Sequence, residues 1–389
     1  MHTVMVLGAG KIGALISGFL GETGDYNVQL ADVDGEAVSS VAAAHGFSTV
    51  EPYELDASDP DALKAHLRQH PAQALISSLP FYCNEEVAAV ARELGLHYFD
   101  LTEDVKVTHA VRSHAEGATT AFAPQCGLAP GFISIVANEL MSHFDKVETA
   151  KLRVGALPQH PNNVLKYSLT WSTDGLINEY ANPCQSIVNG EMTDVLPLEG
   201  LEEIEIDGTL YEAFNTSGGL GSLGETHGQG VRTMNYKTMR YRGHCAHIRL
   251  LMNGLRLRED QATLKKILEK AIPRTLQDVI VIYVSVTGLQ DDEFREENYV
   301  NKVYPQVIAG RLWSSIQVTT AAGLCAVLDL IMSAPEKYKG FVSQEDFSLK
   351  DILGNRFGRY YAQGGTNEVS ATLIATGEAG QQRATEENT

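Results

Sequence analysis

Three glycines near the N-terminus have the spacing of a phosphate-binding turn. Gly8, Gly10 and Gly13 follow the apolar run 4–7 and precede a helix-like run that ends at Leu20. Gly8 allows a tight turn, Gly10 lets backbone approach a pyrophosphate, and Gly13 lets the helix pack on the strand. Free N–H groups at the helix N-terminus favour phosphate. The spacing predicts a dinucleotide site, and a plain turn between strand and helix is the alternative.

An acidic residue follows the second apolar run. Asp32 ends the run 28–32 and stands 19 residues after Gly13, where a carboxylate would accept hydrogen bonds from an adenosine ribose. Neither Arg nor Lys follows it at positions 33–36, so a 2′-phosphate would meet only negative charge. The sequence therefore predicts NAD as the cofactor, in preference to NADP.

Two further strand ends are predicted to complete this site. Ligands of parallel α/β sheets bind beyond the carboxyl ends of the strands. Asp56 and Ala57 stand where adenine would lie, and residues 78–80 stand beside the nicotinamide half. The predicted cofactor-binding residues are Gly8, Gly10, Lys11, Ile12, Gly13, Asp32, Asp56, Ala57, Ser78, Leu79 and Pro80.

Short apolar strands alternate with helices through about residue 128. The strands are predicted at 4–7, 28–32, 53–56, 73–80, 97–101 and 119–123, and the helices at 35–45, 84–94 and 105–116, with another from Asp59. Strict alternation is typical of a parallel sheet covered on both faces. This pattern predicts an α/β fold with a Rossmann-type doubly wound sheet.

The pattern changes after residue 128. Strands are predicted at 149–156, 165–171, 235–241 and 279–286, with hairpin turns at 189–190 and 207–208. We therefore expect a Rossmann domain over 1–128 and an α+β substrate and oligomerisation domain with a largely antiparallel sheet over 129–315. The apolar helix 319–332 must be buried, so residues 316–375 are expected to return to the first domain. The Gly-, Gln- and Glu-rich tail 376–389 is predicted to be disordered.

Composition narrows the class of protein. The 389 residues are 44% hydrophobic and 20% charged, with 30 Lys and Arg against 49 Asp and Glu. A net charge of −19 argues against nucleic acid or an anionic membrane as a partner. Five scattered cysteines suggest neither a zinc site nor a disulfide framework. No leader is visible before the first strand, and no apolar run approaches the roughly 20 residues of a membrane span. We expect a cytoplasmic protein without a metal.

Four stretches stand in a characteristic order. They are the glycine turn, Gly-Leu-Ala-Pro-Gly at 127–131, the stretch 166–172 that leads into Gly175, and the stretch 237–244. Together they resemble the saccharopine dehydrogenase family, of the glutamate-forming reductase type and its lysine 6-dehydrogenase relatives. The resemblance spans about residues 3–360. It implies a Rossmann domain, an inserted substrate domain, and oxidation at a carbon that bears an amine.

The resemblance also implies site residues. The turn that contains Gly127 resembles a family segment between cofactor and substrate, and Arg240 and Tyr241 match a strand that borders the substrate pocket. Two positions depart from the fungal reductases. Ala129 stands where they have Asp, and Asn-Thr-Ser at 215–217 stands where they have an Asn-Arg-Asp triplet for a substrate carboxylate. The substrate therefore stays open between saccharopine, lysine and a related carboxylated amine.

Oxidation of an amine needs a group that takes its proton, because hydride leaves only when the nitrogen has a lone pair. An alkyl ammonium has a pKa of ~10.4, so its deprotonation to the reactive free amine at pH 7 is unfavourable by about 3.4 pKa units, or roughly 4.6 kcal/mol. The candidate acid/base residues are His244, Lys237, Tyr241 and Glu103, the last beside Asp104. Each also has a structural interpretation, such as a core histidine or a solvated lysine, and a water molecule could carry the proton instead.

Other residues are candidates for holding the substrate. Arg240 is predicted to bind a carboxylate through two parallel hydrogen bonds, with a structural salt bridge as the alternative. Trp171 is predicted as a pocket wall or a core residue, and Tyr82 as a neighbour of the nicotinamide or a surface aromatic. Arg232 is a further carboxylate partner, as are Arg153, Lys237 and Arg242.

These features predict an NAD(P)-dependent oxidoreductase that acts on the CH–NH group of an amino acid in lysine metabolism. A lysine 6-dehydrogenase acting on a primary amine is one alternative. A redox-sensing NAD-binding protein without turnover is another. We expect a small amino-acid substrate and a homodimer.

Overall fold

The structure is a computed structural model that describes residues 1–228 and 230–362. Its two larger sheets are a seven-stranded parallel sheet and an eight-stranded mixed sheet. The tail 376–389, predicted to be disordered, and the part of the predicted return segment beyond residue 362 lie outside the described residues.

The N-terminal part alternates strands and helices as the sequence predicts. Its elements are β1 (His2–Leu7), α1 (Lys11–Thr23), β2 (Tyr26–Asp32), α2 (Gly35–His45), β3 (Val50–Glu54), α3 (Pro60–Gln69), β4 (Ala74–Ser77), α4 (Asn84–Leu94), β5 (His97–Asp100), α5 (Val105–Ala115) and β6 (Ala121–Ala123). The strands pair in parallel in the order β6-β5-β4-β1-β2-β3. The third strand begins three residues earlier than predicted, and Pro52 is tolerated there because β3 is an edge strand.

The central strands of this sheet are buried on both faces. Val4 and Val6 of β1 pack into one hydrophobic cluster, whereas Met5 and Leu7 pack into the cluster on the other side. Because successive side chains point to opposite faces, helices on both sides of the sheet explain why the strand is apolar throughout. The predicted doubly wound sheet is confirmed.

A second group of elements follows. It comprises α6 (Phe132–Met141), β7 (Lys146–Pro158), α7 (Thr173–Ala181), β8 (Cys184–Val188), β9 (Glu191–Val195), β10 (Glu202–Ile206), β11 (Thr209–Asn215), α8 (Leu223–His227), β12 (Val231–Tyr241), α9 (His244–Arg249), α10 (Gln261–Ala271), β13 (Asp278–Gln290), β14 (Glu293–Val303), β15 (Gln306–Ile308) and β16 (Arg311–Trp313). The main sheet has the order β10-β11-β12-β7-β13-β14. Its pairs are antiparallel except β12 with β7, which is parallel.

The strand predicted at 165–171 is wrong. This stretch lies outside the named strands, and Lys166 has a left-handed backbone with φ of 49°. The Asn163 side chain instead donates a hydrogen bond to the carbonyl of Tyr167 at 2.7 Å. Helix α7 follows, and the Ser172 hydroxyl caps its N-terminus by accepting a hydrogen bond from the N–H of Gly175.

The C-terminal elements return to the parallel sheet. They are α11 (Ser315–Ser333), β17 (Gly340–Phe341), α12 (Leu349–Gly354) and α13 (Arg359–Ala362). Helix α11 packs along α1, and β17 pairs in parallel with β6 as an added edge strand. Tyr26 of β2 donates a hydrogen bond to Asp329 of α11 at 2.8 Å. These contacts join the end of the described chain to its beginning.

Helix α11 corrects the expectation that no apolar run nears membrane-span length. Its 19 residues include an 18-residue window of mean hydropathy 1.6, which is long and apolar enough to cross a bilayer. However, 78% of that window is buried inside the fold, as in the core helix of a globular domain. By length and composition alone, this helix is weak support for a membrane span.

Candidate active site

A cavity of about 620 Å³ lies between the carboxyl ends of β1, β4 and β5 and one face of the mixed sheet. On the side of the parallel sheet, it is lined by six predicted cofactor residues: Gly10, Lys11, Ile12, Ser78, Leu79 and Pro80. It is also lined by five predicted catalytic or substrate residues: Tyr82, Glu103 and Gly127 from the loops after β4, β5 and β6, and Trp171 and Arg240 from the part of the chain that carries the mixed sheet. The structure therefore brings these two groups together around one space.

The glycine turn is built as the spacing requires. Gly8 has a φ of +95°, and a Cβ added to Gly13 would lie 1.8 Å from the carbonyl oxygen of Gly8. The Ser78 hydroxyl stands 2.9 Å from the carbonyl oxygen of Leu7, to which it donates. In contrast, a Cβ added to Gly10 would meet nothing within 4 Å, and no side chain caps the N-terminus of α1. This open, uncapped helix end fits the pyrophosphate of a dinucleotide.

Asp32 lies behind this turn at the end of β2. Its carboxylate accepts hydrogen bonds from the N–H of Ala9 at 2.6 Å and the N–H of Asp34 at 3.0 Å. A Cβ added to Gly35 would lie 2.4 Å from a Glu54 carboxylate oxygen. Glu54 is therefore a third acidic residue at the end of β2, beside Asp32 and Asp34. Within residues 1–228 and 230–362, none of these three acids forms a salt bridge. The corner is therefore acidic where the adenosine ribose would bind.

Asp56 and Ala57 follow β3, away from the cavity wall. The Asp56 carboxylate is exposed and accepts hydrogen bonds from the N–H and hydroxyl of Ser58. The Ala57 side chain is buried in the cluster that contains Met5 and Leu7. Both residues follow a strand end, where an adenine ring could bind. Because the Ala57 side chain is buried, it would not contribute to recognition of that ring.

Strand β12 presents alternate residues to its two faces. Tyr236, Thr238 and Arg240 line the cavity, whereas Lys237 and Tyr241 face the other way. The Lys237 ammonium donates to the carbonyl of Gly200 and to Glu202, at 2.6 and 2.8 Å. The Tyr241 hydroxyl donates to the carbonyl of Pro158 at 2.9 Å. Neither predicted acid/base group lines the cavity, and neither belongs to the proposed site.

Arg240 is buried at the cavity wall and held by its neighbours. Its Nη1 donates to the Thr238 hydroxyl at 2.6 Å and to the carbonyl of Met239 at 2.9 Å. Its Nε donates to the Tyr180 hydroxyl at 3.2 Å. Nη2 has no hydrogen-bond partner among the described residues, so this nitrogen is left for a ligand.

His244 stands behind Arg240, outside the cavity lining. The carbonyl of Leu165 can only accept, so the neutral His244 ring carries its hydrogen on Nδ1 and its Nε2 accepts from the Tyr180 hydroxyl at 3.1 Å. Nδ1 of His244 then donates to the carbonyl of Leu165 at 2.8 Å. Burial, followed by the charge of Arg240, lowers the pKa of His244 to about 3. The ring is therefore neutral at pH 7 and supports Arg240 through Tyr180 instead of contacting a substrate.

The other cations counted from the sequence also lie away from the cavity lining. The Arg232 side chain is 68% exposed and lies 3.7 Å from Glu148. Arg153 is buried in an ion pair with Glu202. Arg242 pairs with Glu203 at 2.9 Å. Of the cations proposed as carboxylate partners, Arg240 alone lines this cavity.

Glu103 and Glu179 line the same cavity as Arg240. Glu103 follows β5, and burial raises its pKa to about 7, with the nearby Asp104 and Asp100 adding to the rise. Glu179 of α7 is 8% exposed. Burial raises the pKa of Glu179 to about 8, although the charge of Arg240 acts in the opposite direction. Glu179, Tyr180 and Tyr236 were not among the site residues predicted from the sequence.

The remaining predicted wall residues are Trp171, Tyr82 and Gly127. Trp171 donates its indole N–H to the Tyr167 hydroxyl at 3.0 Å, and a Cβ on Gly175 would lie 2.5 Å from its ring. Tyr82 is 70% exposed at the cavity edge. The carbonyl of Gly127 accepts the N–H of Phe132 at 2.9 Å, which ties the 127–131 turn to the start of α6. Among the described residues, no group of three His, Cys, Asp or Glu could hold a metal ion.

Two family models cover nearly all of the described chain. The saccharopine dehydrogenase NADP binding domain matches residues 4–123, and the saccharopine dehydrogenase C-terminal domain matches residues 127–359. The chain belongs to the saccharopine dehydrogenase family. Membership implies an oxidoreductase of the nicotinamide-dependent type.

Individual relatives agree with this assignment. Saccharopine dehydrogenase (NADP(+), L-glutamate-forming) of Pyricularia oryzae is 22% identical over 383 residues, which cover 91% of this chain and 82% of that protein. Alpha-aminoadipic semialdehyde synthase of Arabidopsis thaliana is 29% identical over 156 residues, but the match spans only 14% of that protein and 39% of this chain. Lysine metabolism is the common context of these relatives.

The fold is also that of a solved relative. Apo saccharopine dehydrogenase (L-Glu forming) from Saccharomyces cerevisiae superposes with a TM-score of 0.74 and covers 91% of this chain and 97% of its own. At 16% identity this likeness shows the fold alone. The names of the family model and of the fungal relative favour NADP as the cofactor, against the preference for NAD predicted from Asp32.

Proposed function

We propose that this protein oxidises the CH–NH group of an amino-acid-derived amine, with a saccharopine-like secondary amine as the substrate. The observation that carries the proposal is the single cavity in which the glycine turn faces Arg240, Glu103 and Glu179. A bound nicotinamide would accept the hydride. The chain supplies Arg240 for a substrate carboxylate, Glu103 for the amine proton, and Trp171 as the wall that keeps water away.

The closest rival is a lysine 6-dehydrogenase activity on a primary amine. It gains support because several cations expected to bind the carboxylates of saccharopine lie away from the cavity. The two activities are separated by supplying saccharopine and lysine at equal concentration and following the absorbance of the reduced cofactor. Turnover of lysine alone would contradict the saccharopine proposal. No turnover of either substrate would favour a redox-sensing role. The homodimer and the cytoplasmic location stay predictions.

We propose NAD as the more tightly bound cofactor, although the comparisons favour NADP. The support is electrostatic, because Asp32, Asp34 and Glu54 stand together at the ribose corner. A 2′-phosphate placed there would be repelled. The measurement is the dissociation constant of each cofactor for the wild-type protein and for an Asp32→Ser, Val33→Arg double variant. The variant should shift preference toward NADP, whereas tighter binding of NADP by the wild type would contradict the proposal.

A further inference from the structure

Glu179 is a buried carboxyl group that has no role in the reaction proposed above. It lines the cavity from α7, and among the described residues its side chain has no hydrogen-bond partner. Its neighbour in sequence, Tyr180, accepts the hydrogen bond from Nε of Arg240. A carboxyl group removed from water without a donor is costly. The position of Glu179 therefore points to a donor that arrives with a ligand.

The turn at 217–218 contacts the backbone of both Glu179 and Glu103. The N–H of Ser217 donates to the backbone carbonyl of Glu179 at 3.1 Å. The next residue, Gly218, has a φ of +85°, and a Cβ there would lie 2.5 Å from the backbone carbonyl oxygen of Glu103. Both carboxyl groups then reach the same cavity. The turn thus joins two segments that are far apart in the chain.

The charges at this end of the cavity restrict what can bind. Arg240 is its buried cation, and Glu103 and Glu179 line the same cavity. Lys11 and Arg274 also line the cavity, but both are exposed. A ligand that brought two carboxylates to the buried end would leave one of them facing Glu103 and Glu179. A ligand with one carboxylate and one cationic nitrogen satisfies all three side chains.

We propose that Glu179 and Glu103 bind the cationic nitrogen of the substrate while Arg240 binds a carboxylate on the adjoining carbon. Resting on the proposed function, this requires that the cationic nitrogen and a carboxylate of the substrate sit on one carbon, as in an α-amino acid. The bound ammonium then loses one proton. Its N–H bond breaks, an O–H bond forms on the carboxyl pair, and the electron pair stays on nitrogen. Glu179 is thus a binding residue that no sequence motif marks.

Binding of such a cation must displace a proton. With pKa values of about 7 and about 8, the two carboxyl groups retain at least one proton between them at pH 7. Raised pKa values keep four of their neighbours neutral between pH 6 and 9, namely Tyr167, Tyr180, Cys184 and Tyr236. The charged or acidic neighbours are Arg240, Asp100 and Asp104. Affinity for the cation should therefore rise from pH 6 to pH 8.

The test uses three ligands of equal chain length and the full chain without cofactor. L-norleucine carries both charges, hexanoate carries the carboxylate alone, and hexylamine carries the ammonium alone. Isothermal titration calorimetry gives each dissociation constant, and repetition in two buffers of different ionisation enthalpy counts the protons released. We expect norleucine to bind at least about tenfold more tightly than hexanoate, because one charge-assisted hydrogen bond contributes about that factor. Proton release should accompany norleucine and hexylamine but not hexanoate.

In Glu179→Gln, norleucine should no longer bind more tightly than hexanoate, and its binding should no longer release a proton. The affinity for hexanoate should stay within about twofold of the wild-type value, a difference of about 0.4 kcal/mol. Glu103→Gln is the second variant, in case Glu179→Gln does not fold. Glu269→Gln is the matched control, because Glu269 lines the same cavity but is exposed. An unchanged ratio in Glu179→Gln, or failure of norleucine to bind the wild type, would overturn the proposal. Binding without turnover would instead count against the proposed function alone.

Discussion

Arg240 illustrates how one residue is prepared for its role by others that never touch a ligand. Its Nε and Nη1 are occupied by Tyr180, Thr238 and a backbone carbonyl, which leaves Nη2 toward the cavity. Its guanidinium carbon also lies 5.0 Å from the centre of the Tyr167 ring. A guanidinium fixed in this way loses little conformational freedom when it binds a carboxylate.

Removal of the Tyr180 hydroxyl should weaken substrate binding. In Tyr180→Phe, Nε of Arg240 loses its acceptor and His244 loses its donor. We expect KM to rise about five- to tenfold, equivalent to about 1 to 1.5 kcal/mol, with cofactor affinity unchanged. Tyr241→Phe is the control, because that hydroxyl lies on the opposite face of β12. Equal effects of the two variants would show that Tyr180 acts on stability alone.

Glu103 should impose a pH dependence on the reaction. A group that takes a proton must first be deprotonated, so activity should rise as the pH increases through about 7, the raised pKa of Glu103. Glu103→Gln should lower kcat by about 10²- to 10⁴-fold and abolish this rise. The pH profile of kcat/KM in the wild type and the variant checks it. A profile that is unchanged in Glu103→Gln would assign the proton transfer to another group.

At the scale of elements, β12 explains why some predicted residues lie at the site and others do not. Arg240 and Lys237 are three positions apart, and an odd separation places them on opposite faces of a strand. The same alternation marks Tyr236 and Thr238 as neighbours of Arg240. Once Arg240 is assigned to the pocket, the strand period in the sequence alone excludes Lys237 and Tyr241 and adds Tyr236.

Other residues of the site could not be found from local patterns. Glu179 lies in α7, which was not predicted because the preceding stretch 165–171 was assigned to a strand. Its proximity to Glu103 depends on the turn at 217–218, which contacts the backbone of both residues. His244 was a candidate acid/base residue in the sequence, but tertiary packing buries it behind Tyr180. The parallel sheet was predictable because its strands are buried on both faces and its turn needs glycine at fixed positions. The contacts between distant segments carry no such local pattern.

The β1–α1 turn allows two glycines to be separated by experiment. Gly13→Ala should destabilise the protein by about 1 to 3 kcal/mol, because its Cβ would lie 1.8 Å from the Gly8 carbonyl oxygen. Gly10→Ala should leave stability near wild type, since its Cβ meets no protein atom within 4 Å. It should nevertheless weaken dinucleotide binding about tenfold or more, a loss of about 1.4 kcal/mol or more. Urea unfolding and cofactor titration measure the two effects. If Gly10→Ala binds the cofactor with wild-type affinity, the pyrophosphate does not bind at the β1–α1 turn.

At the scale of the molecule, α11 connects the two sheets and borders the cavity between them. Asp278 of β13 accepts hydrogen bonds from the N–H groups of Ser315 and Ile316 at the start of the helix, at 2.6 and 3.1 Å. Near the other end, Asp329 accepts from Tyr26 and from Arg356. Ile316 and Thr320, between these ends, line the cavity. The helix therefore fixes the distance across which cofactor and substrate would meet.

This arrangement predicts that Asp278 sets the geometry of a site that it does not touch. Asp278→Asn keeps the shape of the side chain but offers one acceptor oxygen, and its NH₂ group would face a backbone N–H. We expect a loss of about 1 to 2 kcal/mol in unfolding free energy and weaker substrate binding together. Asp260→Asn is the matched control, because exposed Asp260 caps α10 and Asn caps a helix equally well. Urea unfolding and calorimetric titration with norleucine provide the measurements. A stability loss in Asp278→Asn with unchanged norleucine affinity would mean that the cavity wall tolerates movement of α11, and the helix would then be a support for the core alone.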